Sequence, residues 1–190
     1  MKSPEECCYL ALTQSMKTVL IFVSTIDGKV TKWGDPHVRT WTSEEDQKYF
    51  TKIWSDAGLI IMGSTTYISE AFRPILDHLL VVMTSQPEHY KSQVVPEKLE
   101  FTSKTPVQLI EFYKNEGYEF MMVVGGAHIA TSFLKDQSLD EIWLTIEPKI
   151  FGIGGNFVIE EKLDVNLRLI NIKKINKQGT LMVKYEVLKH

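Results

Sequence analysis

The sequence predicts an α/β domain: a central, mostly parallel mixed sheet flanked by helices, closed by a C-terminal antiparallel hairpin. Three observations carry that expectation. Runs such as TVLIFVST (Thr18–Thr25) and LIIMG (Leu59–Gly63) are apolar throughout, which suits strands buried on both faces. Helix-like segments separate these runs, as crossovers between parallel strands require. The end of the chain reads as two strands, LRLINIKKIN and TLMVKYEVLK, around the turn KQG, with alternation in the second arm.

Each element follows in order. Between the first two strands lies a loop containing Gly28, Gly34 and Pro36, and then TSEEDQKYFTKIWSDA. There Thr42 and Glu45 have capping-box spacing, and Phe50, Ile53, Trp54 and Ala57 form one apolar stripe. LIIMG runs into a short helix, STTYISEAF. HLLVVMTS is the third strand, LEFTS a brief fourth, and VQLIEFYKNEG a helix that Gly117 suits as a stop. Then FMMVV drives into Gly125 and Gly126 before a helix, AHIATSFLKD. DEIWLTIEPKIFGIGG follows as a strand leading to a glycine-rich turn.

At 190 residues the chain suits one domain with a substantial core, and it has no repeat or linker. Residues 1–15 read as an N-terminal extension and 16–190 as the domain, with Met16 opening the first strand. A net charge of -3 gives no argument for nucleic acid or an anionic membrane. No apolar stretch approaches the roughly 20 residues of a spanning helix. The only cysteines, Cys7 and Cys8, are adjacent, which excludes a disulfide framework and CxxC metal spacing. The expectation is a reduced, cytosolic protein without a metal site.

In parallel sheets, ligands sit beyond the carboxyl ends of the strands. Here two such ends carry glycine (IIMGSTTY and MVVGGAHI) and a third, VVMTSQP, ends in hydroxyls. Neither glycine site fits GxGxxG or a GxxxxGK[ST] loop. Backbone amides at the start of a helix would face an anion there. Asp46 and Phe50, four residues apart, share a helix face. Asp46 is either a site acid or a first-turn carboxylate favoured by the helix dipole, as Glu44 and Glu45 are. Asp27 is either a second site acid or the stabiliser of a tight turn with Gly28.

Over residues from about Lys17 to the C-terminus, the chain resembles the dihydrofolate reductase-like superfamily. It is most similar there to stand-alone relatives of the reductase domain of riboflavin biosynthesis. The residues that carry the likeness are FVSTIDGKVT, WTSEEDQKYF, IIMGSTTY and VVGGAHIATSFL with LDEIWLTIEPKIFGIGG, in that order. The resemblance implies an NADPH-dependent reductase acting on a ribosylamino-pyrimidine phosphate, with dihydrofolate or another small carbonyl or imine as the alternative substrate. It implies that Val124, Gly125, Gly126, Ala127, His128 and Ile129 line the cofactor diphosphate, often through a cis peptide between the glycines. Gly63, Ser64, Thr65 and Thr66, with Thr84 and Ser85, would hold the adenosine side. By the same likeness Asp46 is the proton donor, Thr145 its hydrogen-bond partner and Asp27 a neighbour of the nicotinamide, while Ser24, Trp41 and Phe50 contact substrate. A homodimer is implied too. The chain departs from these families at Ser64, where a basic residue is common, and at Val124, where the riboflavin-type enzymes have Glu. His78 stands where dihydrofolate reductases hold the folate carboxylate with an arginine, which makes dihydrofolate an expected poor substrate.

Overall fold

The computed structural model describes residues 15–70 and 78–189. The chain runs β1 (Lys17–Thr25), a 3-10 turn (Val38–Thr40), α1 (Glu44–Asp56), β2 (Leu59–Gly63) and α2 (Ser64–Glu70). It continues with β3 (Leu79–Met83), β4 (Leu99–Thr102), α3 (Pro106–Asn115), β5 (Phe120–Val123) and α4 (Ala127–Lys135). β6 (Glu141–Glu147), β7 (Asn166–Lys174) and β8 (Leu181–Leu188) complete it. The eight strands form one sheet in the order β4-β3-β2-β5-β1-β6-β8-β7. The first six in that order pair in parallel, and β8 and β7 add on antiparallel, as the sequence predicts.

The apolar runs explain themselves once the two faces are separated. Side chains alternate along a strand, so Leu59 and Ile61 of β2 face one side while Ile60 and Met62 face the other. On the first side they meet Leu109 and Tyr113 of α3 and Ala130, Phe133 and Leu134 of α4. On the other side lie Trp54 of α1 and Ala57 at its C-cap, with Phe50 and Ile53 packed at the margin. The stripe read from the sequence is therefore the buried face of α1. Its cap is corrected by one residue: Ser43, not Thr42, accepts from the amide of Asp46. This shift matters below, because it leaves the Thr42 side chain for other work. α3 carries a full capping box from Thr105 and Gln108, and it stops at Gly117, whose φ is +89°. Met16 joins the core at the foot of β1. Cys7, Cys8 and the expected end of the second helix (residues 71–72) lie outside the described residues.

Among the described residues, no helix is long and apolar enough to cross a membrane. β7 differs from its partner strand: all nine of its residues are exposed. It is the last strand of the sheet.

Candidate active site

A cleft of about 730 Å³ opens at the carboxyl ends of the parallel strands. Ile21, Phe22 and Val23 of β1 form its floor, and Thr145 of β6 stands at one end. At that end α1 contributes Asp46, Gln47, Tyr49 and Phe50, with Arg39 and Thr42 just before it. The middle is the turn into α4, Val124 and Gly126–Ile129, facing Gly63–Thr66 at the start of α2. The far end, beyond β3 and β4, holds Thr84, Ser85, Thr102, Ser103 and Lys104. The cleft is thus long and divided: a carboxyl group at one end, free helix amides in the middle, hydroxyls and a cation at the other.

The acidic end is the chemically distinctive one. Asp46 is 6% exposed. Burial pushes its carboxyl from the ordinary 3.8 up to about 6. The Thr145 hydroxyl bonds the carboxylate and pulls the other way, the negative charge of Glu147 adds to the rise, and Thr42 offsets it slightly. Loss of water disfavours charge on a carboxylate more than these two hydroxyls restore it. Tyr49, on the same helix, is raised to about 12 by burial first and by the charge of Asp46 second. A carboxylic acid that keeps its proton near neutrality, inside an apolar-floored cleft, is suited to donate that proton.

The middle of the cleft fits a diphosphate. Gly126 is the N-cap of α4 and has no side chain to cap it, so the first-turn amides are left for an anion, and the helix dipole favours one there. The approach is close on every side. Gly125 has φ +92°, and a Cβ on it would lie 2.5 Å from the Phe22 ring. A Cβ on Gly63 would stand 2.9 Å from Ile129, and one on Gly126 would stand 3.2 Å from the Thr66 hydroxyl. The two central glycines are joined by a cis peptide, as the resemblance led one to expect. Ser64, Thr65, Thr66, Thr84 and Ser85 add hydroxyls along the same wall.

Not every expected site residue reaches the cleft. Asp27 lies outside its lining and works as a tether: it accepts from Thr25 Oγ1 at 2.5 Å and from the amide of Gly152 at 2.7 Å, with Phe151 N at 3.2 Å. The Thr25 hydroxyl, followed by those amides, holds its carboxyl below the usual range. Asp27 thus ties the turn after β1 to the glycine-rich turn after β6, a long-range link that neither of its sequence readings named. Trp41 is buried edge-on against Phe151, 5.2 Å between centroids, and does not line the cleft. Ser24 is buried in β1, and Gly125 backs the cleft without lining it. His78 is buried behind α1, where its Nε2 accepts from Trp54 Nε1 at 3.0 Å. It does not line the cleft, so the reason given for a weak response to dihydrofolate falls.

Of the lining residues that the sequence reading missed, three bear most on the chemistry. Lys104 follows the carboxyl end of β4, a position that the strand-end rule alone could have marked. Thr42 was assigned to the helix cap, which concealed its bond to Asp46. Arg39 sits in the short 3-10 turn before α1, which the sequence does not signal.

Known proteins bear on these observations in three ways. A family model described as the RibD C-terminal domain matches residues 17–181. The uncharacterized protein YwjB of Bacillus subtilis (strain 168) is 24% identical over 169 residues, covering 85% of this chain and 93% of its own. A pyrimidine reductase-like protein of Corynebacterium diphtheriae has a TM-score of 0.76 at 14% identity, with 95% of both chains covered. Dihydrofolate reductase from Enterococcus faecalis, solved with NADP(H), has a TM-score of 0.65 at 16% identity, covering 93% of this chain and 98% of that one. At such identities the two solved structures establish the fold, which is that of the dihydrofolate reductase-like reductases.

Proposed function

Because the chain belongs to the RibD C-terminal domain family, whose reductase domains imply oxidoreductase activity, we propose that it is an NADPH-dependent reductase of the riboflavin-biosynthesis type. Its substrate in this reading is a ribosylamino-pyrimidine phosphate or a similar small molecule. The observation that carries the reading is the shared cleft: Asp46, with its carboxyl raised to about 6, opens onto the same space as the uncapped amides of α4. NADPH, when bound, supplies the hydride, here to the first carbon of the sugar. The chain's own residues do the rest. The Gly126–Ile129 turn and the Ser64–Thr66 hydroxyls hold the diphosphate. Thr145 and Thr42 orient the Asp46 carboxyl, which gives its proton to the heteroatom that gains charge. Phe22 and Phe50 exclude water from the reacting carbon, and Arg39 offers a cation to an anionic group on the substrate. The test is loss of reduced-cofactor absorbance with the purified protein against the pyrimidine intermediate and dihydrofolate. Turnover of neither would overturn the reading.

Cofactor choice follows from the far end of the cleft. Ser64 stands where relatives of this fold commonly have a basic residue, and among the described residues Lys104 is the cation lining that end, with Ser85 and Ser103. The extra phosphate of NADPH would be its partner. Lys104→Ala is therefore expected to raise KM for NADPH about ten- to a hundredfold, the usual worth of a hydrogen bond to a charged group. KM for NADH should scarcely move. Equal losses for both cofactors in steady-state kinetics would remove the 2′-phosphate from Lys104.

The same reading includes a homodimer. The exposed edge strand β7 carries Leu167, Leu169 and Ile172, each more than two-fifths exposed, in an arrangement that invites pairing. Sedimentation equilibrium of the wild type, and of Leu169→Lys, tests it: the first is expected to be dimeric and the second monomeric.

A further inference from the structure

One buried carboxylate takes no part in the scheme above. Glu147, the last residue of β6, is 2% exposed. Its Oε1 accepts from the Ser43 amide at 2.7 Å and its Oε2 from the Thr180 hydroxyl at 2.8 Å. Among the described residues it forms no ion pair. A carboxylate buried on neutral donors alone is costly to keep, since desolvation is only partly offset by two hydrogen bonds.

Its position suggests what it is for. Glu147 follows Thr145 by two residues, so both side chains leave the same face of β6. Thr145 bonds the Asp46 carboxyl, while Glu147 bonds the amide of Ser43. Ser43 is the cap that accepts from the Asp46 amide at 3.4 Å. β6 therefore grips the first turn of α1 at two points, one of them the candidate acid itself. On the other side, Thr180 is fully buried and accepts from Asn176 Nδ2 at 2.8 Å. Asn176 Oδ1 in turn accepts the amides of Gly179 and Thr180, each at 3.0 Å. The turn between β7 and β8, remote in sequence, is thereby wired to the acid.

We propose that Glu147 is a positioning residue for Asp46, clasping the first turn of α1 between β6 and the β7–β8 turn and holding a negative charge beside the acid. This rests on the assignment of Asp46 as proton donor. The clasp explains why the sequence spends a buried charge where a neutral amide would cap α1 equally well. A neighbouring anion keeps a proton on Asp46 that burial alone would hold less firmly. The other ionisable groups on the elements that face Asp46 are Tyr49 and Glu45 on its own helix and Arg39 and His128 among the cleft lining. Of these, only Tyr49 is coupled to Asp46 as Glu147 is, and its hydroxyl is neutral across the working range.

The decisive variant is Glu147→Gln, which keeps the shape and removes the charge. Two readouts are taken on the full chain: the titration midpoint of the Asp46 carboxyl by carbon-13 NMR, assigned with Asp46→Asn, and the pH profile of kcat. The midpoint is expected to fall by about one pH unit, the scale of a like charge at close range. The decline of kcat at rising pH should move acidward by the same amount, with KM for NADPH unchanged. An unmoved midpoint, while Asp46→Asn still cuts kcat by about 10²-fold or more, overturns the proposal and leaves the acid role standing. A midpoint that moves while the pH profile stays put supports the clasp and overturns the acid role instead. If Glu147→Gln does not fold, Thr180→Val, nearly isosteric, unclasps one side. It should cut kcat several-fold without altering KM for NADPH, and an unchanged kcat would overturn the proposal.

Discussion

Gly126→Val is expected to abolish NADPH binding while the domain stays folded. The φ of Gly126 is -70°, open to any L-residue, so the backbone does not resist the change. Its Cβ would stand 3.2 Å from the Thr66 hydroxyl, a contact that a small rotation of Thr66 relieves. The two methyl groups then project into the space in front of the α4 amides, where the diphosphate has to lie. Displacing a charged group from a helix N-terminus removes both hydrogen bonds and the dipole's attraction, at least two charge-assisted contacts of about 1.5–3 kcal/mol each. Affinity should fall by about a thousandfold or more. Thermal shift gives the check: the wild type should gain several degrees with saturating NADPH and the variant none. The neighbouring substitution is a contrast. Gly125→Ala places a Cβ 2.5 Å from the Phe22 ring at φ +92°, so it should lower the melting temperature outright. Undiminished stabilisation of a folded Gly126→Val protein would move the cofactor elsewhere.

The contrast between these two glycines shows what a sequence can reveal. A residue pair without side chains after a buried strand is legible because the requirement is local: the backbone must turn and something must approach it. The same holds for the apolar runs. Leu59–Met62 can be apolar at every position only if both faces are covered, and that alone implies helices on two sides of a parallel sheet. The helix stop at Gly117 and the hairpin around Gly179 are likewise local matters.

What the sequence left open depends on where loops return. DGKVT and EPKIFGIGG look like two independent glycine turns. Nothing in either says that Asp27 spends its carboxylate binding the amides of Phe151 and Gly152 instead of facing a ligand. Trp41 has the size of a substrate wall, yet the same loop contact carries it against Phe151. Arg39 reaches the cleft from a short 3-10 turn whose course no periodicity encodes, whereas Lys104 could have been marked by its place after the end of β4. Asp46 lies between the two cases. Its helix face was readable and the resemblance supplied its Thr145 partner, which the structure keeps. The charge of Glu147 beside it was not readable, because that residue is brought to α1 by contacts between distant parts of the chain.

That environment gives Asp46→Asn the largest expected effect on chemistry. With the proton donor gone and NADPH contacts untouched, kcat should fall about 10²–10⁴-fold, the usual worth of a positioned acid. The wild-type kcat should decline as pH rises through about 6, because only the protonated carboxyl donates, and this decline should vanish in the variant. At neutral pH the substitution should affect stability in the opposite sense from activity. The folded-state pKa is raised above the ordinary 3.8, so the folded protein binds this proton more tightly than the unfolded chain does. The stabilisation that results is complete below about pH 4 and is lost as pH rises to about 6; above that, the folded state carries a buried, ionised carboxylate. A rise from 3.8 to about 6 is worth up to about 3 kcal/mol at ~1.4 kcal/mol per pH unit. Asn cannot ionise and so escapes that penalty. Relative to wild type, Asp46→Asn should therefore be more stable at pH 8 than at pH 4 by about 2–3 kcal/mol in denaturant unfolding. A variant that is inactive yet more stable at neutral pH is the signature of a group kept for its chemistry at the cost of the fold. One that loses stability equally at both pH values would make Asp46 a structural residue, and the proton would then come from water.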